Sequence, residues 1–425
     1  MEENNRKKKS IYNKIVSAMQ ATCPSFLYCN SVLRIISEQS IEMNSPLFLI
    51  HIKFDPAFDI VDRSTISQCL AKFGVDEATI LEIIHILYGE ESCRLRIWDR
   101  SWQQLEIKER EPIELLLSRM ISFLVLHSVL EKSNANATDG IRWGETELHH
   151  LIFQDEICLM ARTVSAIQRK LQELALSARE VGLQISAEET TIMRISTSGK
   201  TPVRLNDVTL RDVKTFCFLG SIFSKFGGIK AEVKQRLSSA KYVFQDLRER
   251  FVSADTIEQK MAIFNSRVKP VLLYGCETWS EPKWAMKKLQ KFVNNCMRVM
   301  LPTHPRDQRE LLNRCGEDPI QYQIRYKKWL FIGEVLRTPN TIMTARSFQW
   351  NPQGSRSVGR PSFTFNRTVE DRLQKIGPTW PELILLAQDS NVWTQFIEQY
   401  IYGYANRRKV EEFLQAANIN TEVGE

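Results

Sequence analysis

PLFLIHIKFDPAFD, residues 46–59, decides how the chain is read. Leu47 to Phe54 is rich in β-formers and bounded by Pro46 and Asp55, the pattern of a buried strand. Working outward, apolar spacing predicts helices over 64–73 and 76–87, with Gly74 as the stop between them. Paired strands follow over 92–98 and 103–108, then a long, largely buried helix over 113–130. Residues 133–140 are a loop by composition. Strands come next over 148–152 and 157–161, with Phe153-Gln-Asp-Glu156 as the tip between them. An amphipathic helix over 163–181 is ended by Gly182, and 184–195 is interrupted strand. The order strand, helices, hairpin, helix, strand predicts an α+β fold, a split βαβ antiparallel sheet with helices on one face. Short strands over 203–206 and 214–218 lead to Leu219-Gly-Ser221, and from Lys230 the pattern is helical, with breaks at 303–307, Pro339, 351–361 and Gly377-Pro378.

The composition, 43% hydrophobic and 25% charged over 425 residues, excludes collagen-like, low-complexity and wholly disordered classes. The longest nearly apolar stretch, Met120 to Leu130, is shorter than the roughly 20 residues that cross a bilayer, so no membrane association is expected. The basic run Arg6 to Lys9 is followed by no apolar segment and lacks a secretory layout, which points to an intracellular protein, nuclear or cytoplasmic. Asn136-Ala-Thr138 is then a chance match to a glycosylation acceptor. Nine cysteines without a Cys-x-x-Cys pair offer neither a zinc site nor a disulfide framework, and most are expected reduced in the core. His149 and His150, adjacent on a strand, point to opposite faces and do not ligate together. Net charge is +7, but residues 281–410 hold 21 Lys and Arg against 11 Asp and Glu, a basic block on a near-neutral remainder.

Asp155-Glu156 sets two acids at a tight turn between apolar strands. Two such carboxylates repel unless a cation lies between them, so the pair reads either as a Mg²⁺ site or as a solvated turn, for which Asp is also suited.

With Lys53-Phe-Asp-Pro-Ala-Phe-Asp59 the chain resembles the reverse transcriptases of non-LTR (LINE-type) retrotransposons, especially the RTE-like branch, from about Gln20 to about Trp393. Further matches are Val181-Gly-Leu183, Phe216-Cys-Phe-Leu-Gly-Ser221, Val271-Leu-Leu-Tyr-Gly-Cys-Glu-Thr-Trp279, Lys328-Trp-Leu-Phe-Ile-Gly333 and Trp350-Asn-Pro-Gln-Gly354. The resemblance implies a right-hand polymerase: a fingers remnant over 1–45, a palm over 46–228, a helical thumb over 229–301 and a basic helical domain over 302–425. It implies RNA-directed DNA synthesis with Mg²⁺. The family's metal-binding Asp on the first palm strand is Lys53 here, and its aromatic, small, Asp, Asp tip is retained as Asp155 with Glu156 in place of the second acid. A Lys that assists pyrophosphate departure aligns with Glu189, the Arg-Gln-Gly segment with Pro112-Ile-Glu114, and of its downstream Ser-Pro only Ser118 is retained. Phe58 matches the aromatic that excludes a ribose 2′-hydroxyl, or is a core aromatic at a helix start. Phe216, Leu219 and Gly220 match the hairpin that grips the primer, or form a plain tight turn.

Phosphoryl transfer needs divalent ions held by at least two carboxylates. An ammonium about 4 Å from Mg²⁺ costs on the order of 4 kcal/mol at an effective dielectric near 20. Lys53 therefore implies a degenerate copy without polymerase activity, with no Mg²⁺ bound, and an ion pair from Lys53 to Asp155 that reaches Glu156 as a second partner. The leading alternative is a non-enzymatic protein that binds RNA or DNA, single-stranded or hybrid; a third is an unselected relic. Lys287, Lys288 and Lys291 at helical spacing, and Arg325 and Lys328 beside Trp329, suit phosphate neutralisation with base stacking or form solvated helix faces. Arg356 and Arg360 lie in a loop that is more basic in the family.

Overall fold

The computed structural model describes residues 25–55, 63–72, 92–96, 102–106, 116–134, 139–143, 146–302, 307–338, 364–376 and 378–401, with isolated positions between them. The chain folds as two units, residues 1–29 with 46–219, and 30–45 with 220–425.

The first unit is built on β1 (Leu47–Ile52), whose six residues are all buried. A strand flanked on both edges and covered on both faces needs a continuous apolar run, and Leu-Phe-Leu-Ile-His-Ile supplies it with one exception, His51. Hairpin strands β2 (Ser92–Arg96) and β3 (Trp102–Glu106) follow, then two short paired strands, β4 (Ile141–Trp143) and β5 (Thr146–Leu148). The main sheet is completed by β6 (His150–Phe153), β7 (Glu156–Ala161), β8 (Thr191–Ile195) and, after the small hairpin β9 (Arg204–Leu205) and β10 (Val208–Thr209), by β11 (Arg211–Asp212). Its order is β11-β8-β1-β7-β6, the split βαβ arrangement in which the first strand lies between the third and the fourth. β11 runs parallel to β8 while every other pairing is antiparallel, so the sheet is mixed rather than antiparallel throughout.

Helices α1 (Phe26–Glu42), α2 (Arg63–Lys72), α3 (Leu116–Asn134) and α4 (Val164–Glu180) precede or separate these strands. Thr163 caps α4 by accepting the Ala166 N–H, and Ile167, Leu171, Leu174 and Ala178 lie on its buried stripe. With Leu124 and Leu126 of α3 they cover the sheet face that carries Ile50, Ile52, Ile157, Leu159 and Ile192. Strand alternation sends His51 and Lys53 to the other face. His149 and His150 diverge likewise: His149 Nε2 lies 3.7 Å from Glu147, and His150 Nδ1 lies 3.2 Å from Asn134. Cys69 and Cys158 are free and buried, whereas Cys29 is disulfide-bonded, an exception to the expectation that most cysteines are reduced.

The chain leaves this unit between β12 (Thr215–Phe218) and β13 (Ser221–Ser224), through Leu219 (φ +48°) and Gly220 (φ +70°). Two successive left-handed residues make the tight turn compatible with strand twist. The boundary between the two units falls at 219/220.

The second unit is helical: α5 (Lys230–Asp246), α6 (Arg248–Ser253), α7 (Ile257–Ile263), α8 (Lys269–Leu272), α9 (Lys283–Met300), α10 (Gln308–Cys315), α11 (Ile320–Arg337), α12 (Phe365–Ile376), α13 (Trp380–Gln388) and α14 (Ser390–Phe396). Phe264, Leu272, Cys276, Trp279, Leu289, Met297 and Ile324 form one core across the expected thumb boundary at 301. Residues 30–45, expected in a fingers remnant, belong to this unit. Asn30 Nδ2 donates to Ser221 Oγ at 3.1 Å, Arg34 Nε to Thr278 Oγ1 at 3.3 Å, and Glu38 accepts the Phe365 N–H at 2.7 Å. Burial pushes the Glu38 carboxyl up to about 7 against the lowering effect of Arg34. Gly333 is required by packing, because a Cβ there would overlap the Trp393 indole, whose Nε1 donates to Trp329 O at 2.8 Å.

Candidate active site and nucleic-acid interface

β1 ends at Ile52, and the chain beyond it is pinned at once. Lys53 N donates to Thr190 Oγ1 at 3.1 Å, Ser186 N donates to Lys53 O at 2.8 Å, and Phe54 bridges to Ile185. Opposite it, Phe153 pairs with Glu156 across the two-residue tip Gln154-Asp155, Gln154 taking a left-handed φ of +55°. The β1–β7 register pairs Ile52 with Ile157, so the next position sets Lys53 directly opposite Glu156.

Three groups converge on the Glu156 carboxylate. Lys53 Nζ lies 3.4 Å from Oε1, the Leu219 N–H donates to Oε2 at 2.6 Å, and His51 Nε2 is 3.7 Å from Oε2. Burial pushes the Glu156 carboxyl up, but His51, the Leu219 N–H and the Lys53 ammonium more than offset it and hold it down at about 2. His51 is itself fixed by Phe216, stacked with ring centroids 5.5 Å apart, and by Phe218, edge-on at 6.0 Å.

The expected Lys53–Asp155 ion pair is therefore corrected: Lys53 pairs with Glu156. Cross-strand neighbours share a face, whereas Asp155 sits in the turn, exposed, with no ion pair or side-chain hydrogen bond among the described residues. Glu189 is exposed in the turn before Thr190 and does not join the cluster; Thr190, its neighbour, does the clamping. Phe216 and Leu219 do reach the cluster, Phe216 through the His51 ring and Leu219 through its backbone. A Cβ on Gly220 would come within 3.2 Å of Tyr274. Ser118 lies in the first turn of α3 with its side chain outside the described residues, where Phe58, Asn136, Arg356 and Arg360 also fall. His51 and the Leu219 N–H were missed by the sequence reading; the one available signal was a histidine two residues before Lys53 in an otherwise apolar strand.

Mg²⁺ does not fit this arrangement. The Glu156 oxygens already accept from an ammonium and a backbone N–H, and among the described residues no group of three or more His, Cys, Asp or Glu side chains is placed to hold a metal ion.

The basic residues divide. Lys287, Lys288 and Lys291 are exposed on α9. Lys328 is not: its side chain is 1% exposed and donates to Glu281 Oε1 at 2.7 Å, while Arg325 Nη2 donates to Glu281 Oε2 at 3.2 Å. Burial pushes the Glu281 carboxyl up, and Lys328 and Arg325 outweigh it, leaving it below the usual carboxylate range. The expected phosphate-binding role of Arg325 and Lys328 is corrected accordingly. A cation taken from Glu281 to a phosphate would leave a buried carboxylate short of a partner.

Residues 5–223 match the family model described as "Reverse transcriptase (RNA-dependent DNA polymerase)". The chain belongs to the reverse transcriptase family. It is 26% identical over 226 residues to a putative uncharacterized transposon-derived protein of Caenorhabditis elegans, covering 50% of this chain and 81% of that protein. It is 24% identical over 263 residues to the retrovirus-related Pol polyprotein from type-1 retrotransposable element R2 of Popillia japonica, covering 58% of this chain and 35% of the polyprotein. The chain thus carries a reverse transcriptase domain of the non-LTR retrotransposon kind and spans about a third of that polyprotein. Among solved structures, apo telomerase from Candida tropicalis aligns at TM-score 0.41 and 10% identity, covering 76% of this chain and 55% of that one. The same telomerase in complex with a TWJ fragment of telomeric RNA aligns at TM-score 0.38 and 12% identity, over 81% and 56% of the two chains. Among the described residues no helix is long and apolar enough to cross a membrane.

Proposed function

We propose that this chain is a degenerate, RTE-like reverse transcriptase whose polymerase centre no longer works, and that it acts inside the cell, in nucleus or cytoplasm, by binding RNA or DNA, single-stranded or hybrid. One observation carries the reading: Lys53 Nζ 3.4 Å from Glu156 Oε1. Polymerases of this family place a metal-binding Asp at that position and use Mg²⁺ between carboxylates of the first strand and the hairpin. Here the first-strand residue is a cation, its charge is spent on the hairpin acid, and Asp155 stands apart in solvent. Glu156 is consequently a structural acceptor that ties together β1, β7 and the turn at Leu219.

Binding without chemistry is favoured by a second observation. Lys287, Lys288 and Lys291 are exposed along one helix of the second unit, where they neutralise phosphates independently of the palm.

Primer extension on a poly(rA) template with Mg²⁺ or Mn²⁺, comparing the unmodified chain with Lys53→Asp, tests the reading. No extension is expected from the unmodified chain. Extension by it would overturn the inactive centre.

A further inference from the structure

The second unit carries a groove of about 600 Å³ whose chemistry is unlike that of the palm cluster. It opens where Gly227 and Gly228, both left-handed at φ +70° and +69°, deliver the chain into α5. α5 is 17 residues long, and its N-cap residue, Ile229, makes no side-chain capping hydrogen bond. The first N–H groups of a helix lack intrahelical acceptors and carry the positive end of the macrodipole, so this end is left for an anion. Glu232, the acid of the first turn, does not fill the role: it is buried and accepts from the Ile222 N–H and from Arg236.

The walls repeat the preference. Lys230 and Lys234, one helical turn apart, and Lys288 of α9 line the groove, all exposed and without an ion-pair partner among the described residues. No acidic side chain lines it among the described residues. Two aromatic rings stand beside these cations in solvent, Phe226 at 69% exposure and Trp284 at 44%. Ser280 also lines the groove; it is 1% exposed and its Oγ has no hydrogen-bond partner among the described residues. A buried hydroxyl left without a partner is costly, and a ligand oxygen or amine in the groove would satisfy it. A Cβ on Gly228 would meet nothing within 4 Å, so open space adjoins the backbone here, as a phosphate needs for close approach.

We propose that this groove binds one phosphate and one unstacked base of a single-stranded nucleic acid. The phosphate is held by the head of α5 with Lys230, Lys234 and Lys288, and the base stacks on Trp284 with Phe226 beside it. An inorganic anion would account for the cations but not for two exposed rings beside them, and a purely apolar partner would not account for three lysines without carboxylate partners among the described residues. The inference rests on the nucleic-acid reading above and adds the place and the mode, independently of whether the palm is active.

The test is fluorescence anisotropy of a labelled single-stranded homopolymer RNA with the full chain and three variants, each checked for a native melting transition. Trp284→Ala is expected to weaken binding roughly five- to hundredfold, the loss of one base stack, with the salt dependence unchanged. Trp284→Phe is expected to restore most of the loss. Lys230→Ala with Lys234→Ala is expected to lower the slope of log affinity against log salt by about 0.7, one single-strand phosphate contact. Parent-like affinity in Trp284→Ala together with a parent-like slope in the lysine pair would overturn the groove and leave the nucleic-acid reading standing. If the parent chain binds no RNA or single-stranded DNA, both fall. Equal binding of a blunt duplex, with the same Trp284 loss, would overturn the unstacked base, and competition by inorganic phosphate as strong as by a mononucleotide would overturn the stacking.

Discussion

Two lysines, Lys53 in the first unit and Lys328 in the second, each meet a glutamate, and the difference lies in what surrounds them. Lys53 is 36% exposed and shares Glu156 with a backbone N–H and a histidine. Lys328 is 1% exposed and shares Glu281, 7% exposed, with Arg325. In water a carboxylate that loses one partner is rehydrated. In the enclosed cluster it is not, so the same substitution has a different cost.

The largest expected effect follows from that contrast. Lys328→Ala leaves Glu281 buried with Arg325 alone and is expected to destabilise the chain by about 3–5 kcal/mol, read from denaturant unfolding. Lys328→Met, which keeps the volume, is expected to cost no less while Glu281 remains, and replacing Glu281 and Arg325 by apolar residues as well is expected to recover most of the loss. Equal stability of Lys328→Ala and parent would erase the distinction between the two pairs.

Acid titration sharpens the comparison from the other side. Glu156 titrates at about 2 in the folded chain against 4.5 for an ordinary glutamate, so the folded state binds its proton less readily than the unfolded state. Its contribution is fully present above pH 4.5 and is lost as pH falls through that value toward 2. Glu156→Gln is expected to remove this part of the acid transition, on the order of 2 kcal/mol for a charged acceptor, and to flatten stability between those limits. An unchanged acid limb would show that Glu156 is not held as described.

Lys53→Ala is expected to cost only about 1 kcal/mol, because His51 and the Leu219 N–H remain with Glu156. It should also raise Mg²⁺ affinity in calorimetry, and Lys53→Asp should raise it further by supplying a carboxylate. Tight Mg²⁺ binding by the unmodified chain would break the account of the palm cluster. Smallest of all, Lys287→Ala and Lys291→Ala are expected to leave stability within about 0.5 kcal/mol, since both side chains are exposed. Their effect should appear only as a weaker salt dependence of nucleic-acid binding.

The elements were largely legible. The apolar run before Lys53 is β1, the acid-bearing tip is the β6–β7 turn, and the stripe ended by Gly182 is α4. Local spacing suffices there because each element buries a face whose period is written in its own residues. The resemblance to reverse transcriptases, carried by the motifs along the chain, is the family to which residues 5–223 belong.

The sequence alone also determined that a cation stands at residue 53, at the end of the central strand. Which acid it meets was decided by register: pairing Ile52 with Ile157 selects Glu156 and leaves Asp155 in the turn. The same holds for Arg325 and Lys328. As a string they are a basic helix face beside a tryptophan. Only the return of Glu281, 47 residues from Lys328, makes them two cations on one buried carboxylate. Residues 30–45 show it once more, since Asn30, Arg34 and Glu38 find partners at Ser221, Thr278 and Phe365. Periodicity records which side of an element is buried. It carries no information about which distant charge will be buried with it, because that is set by pairing register and helix packing across hundreds of residues.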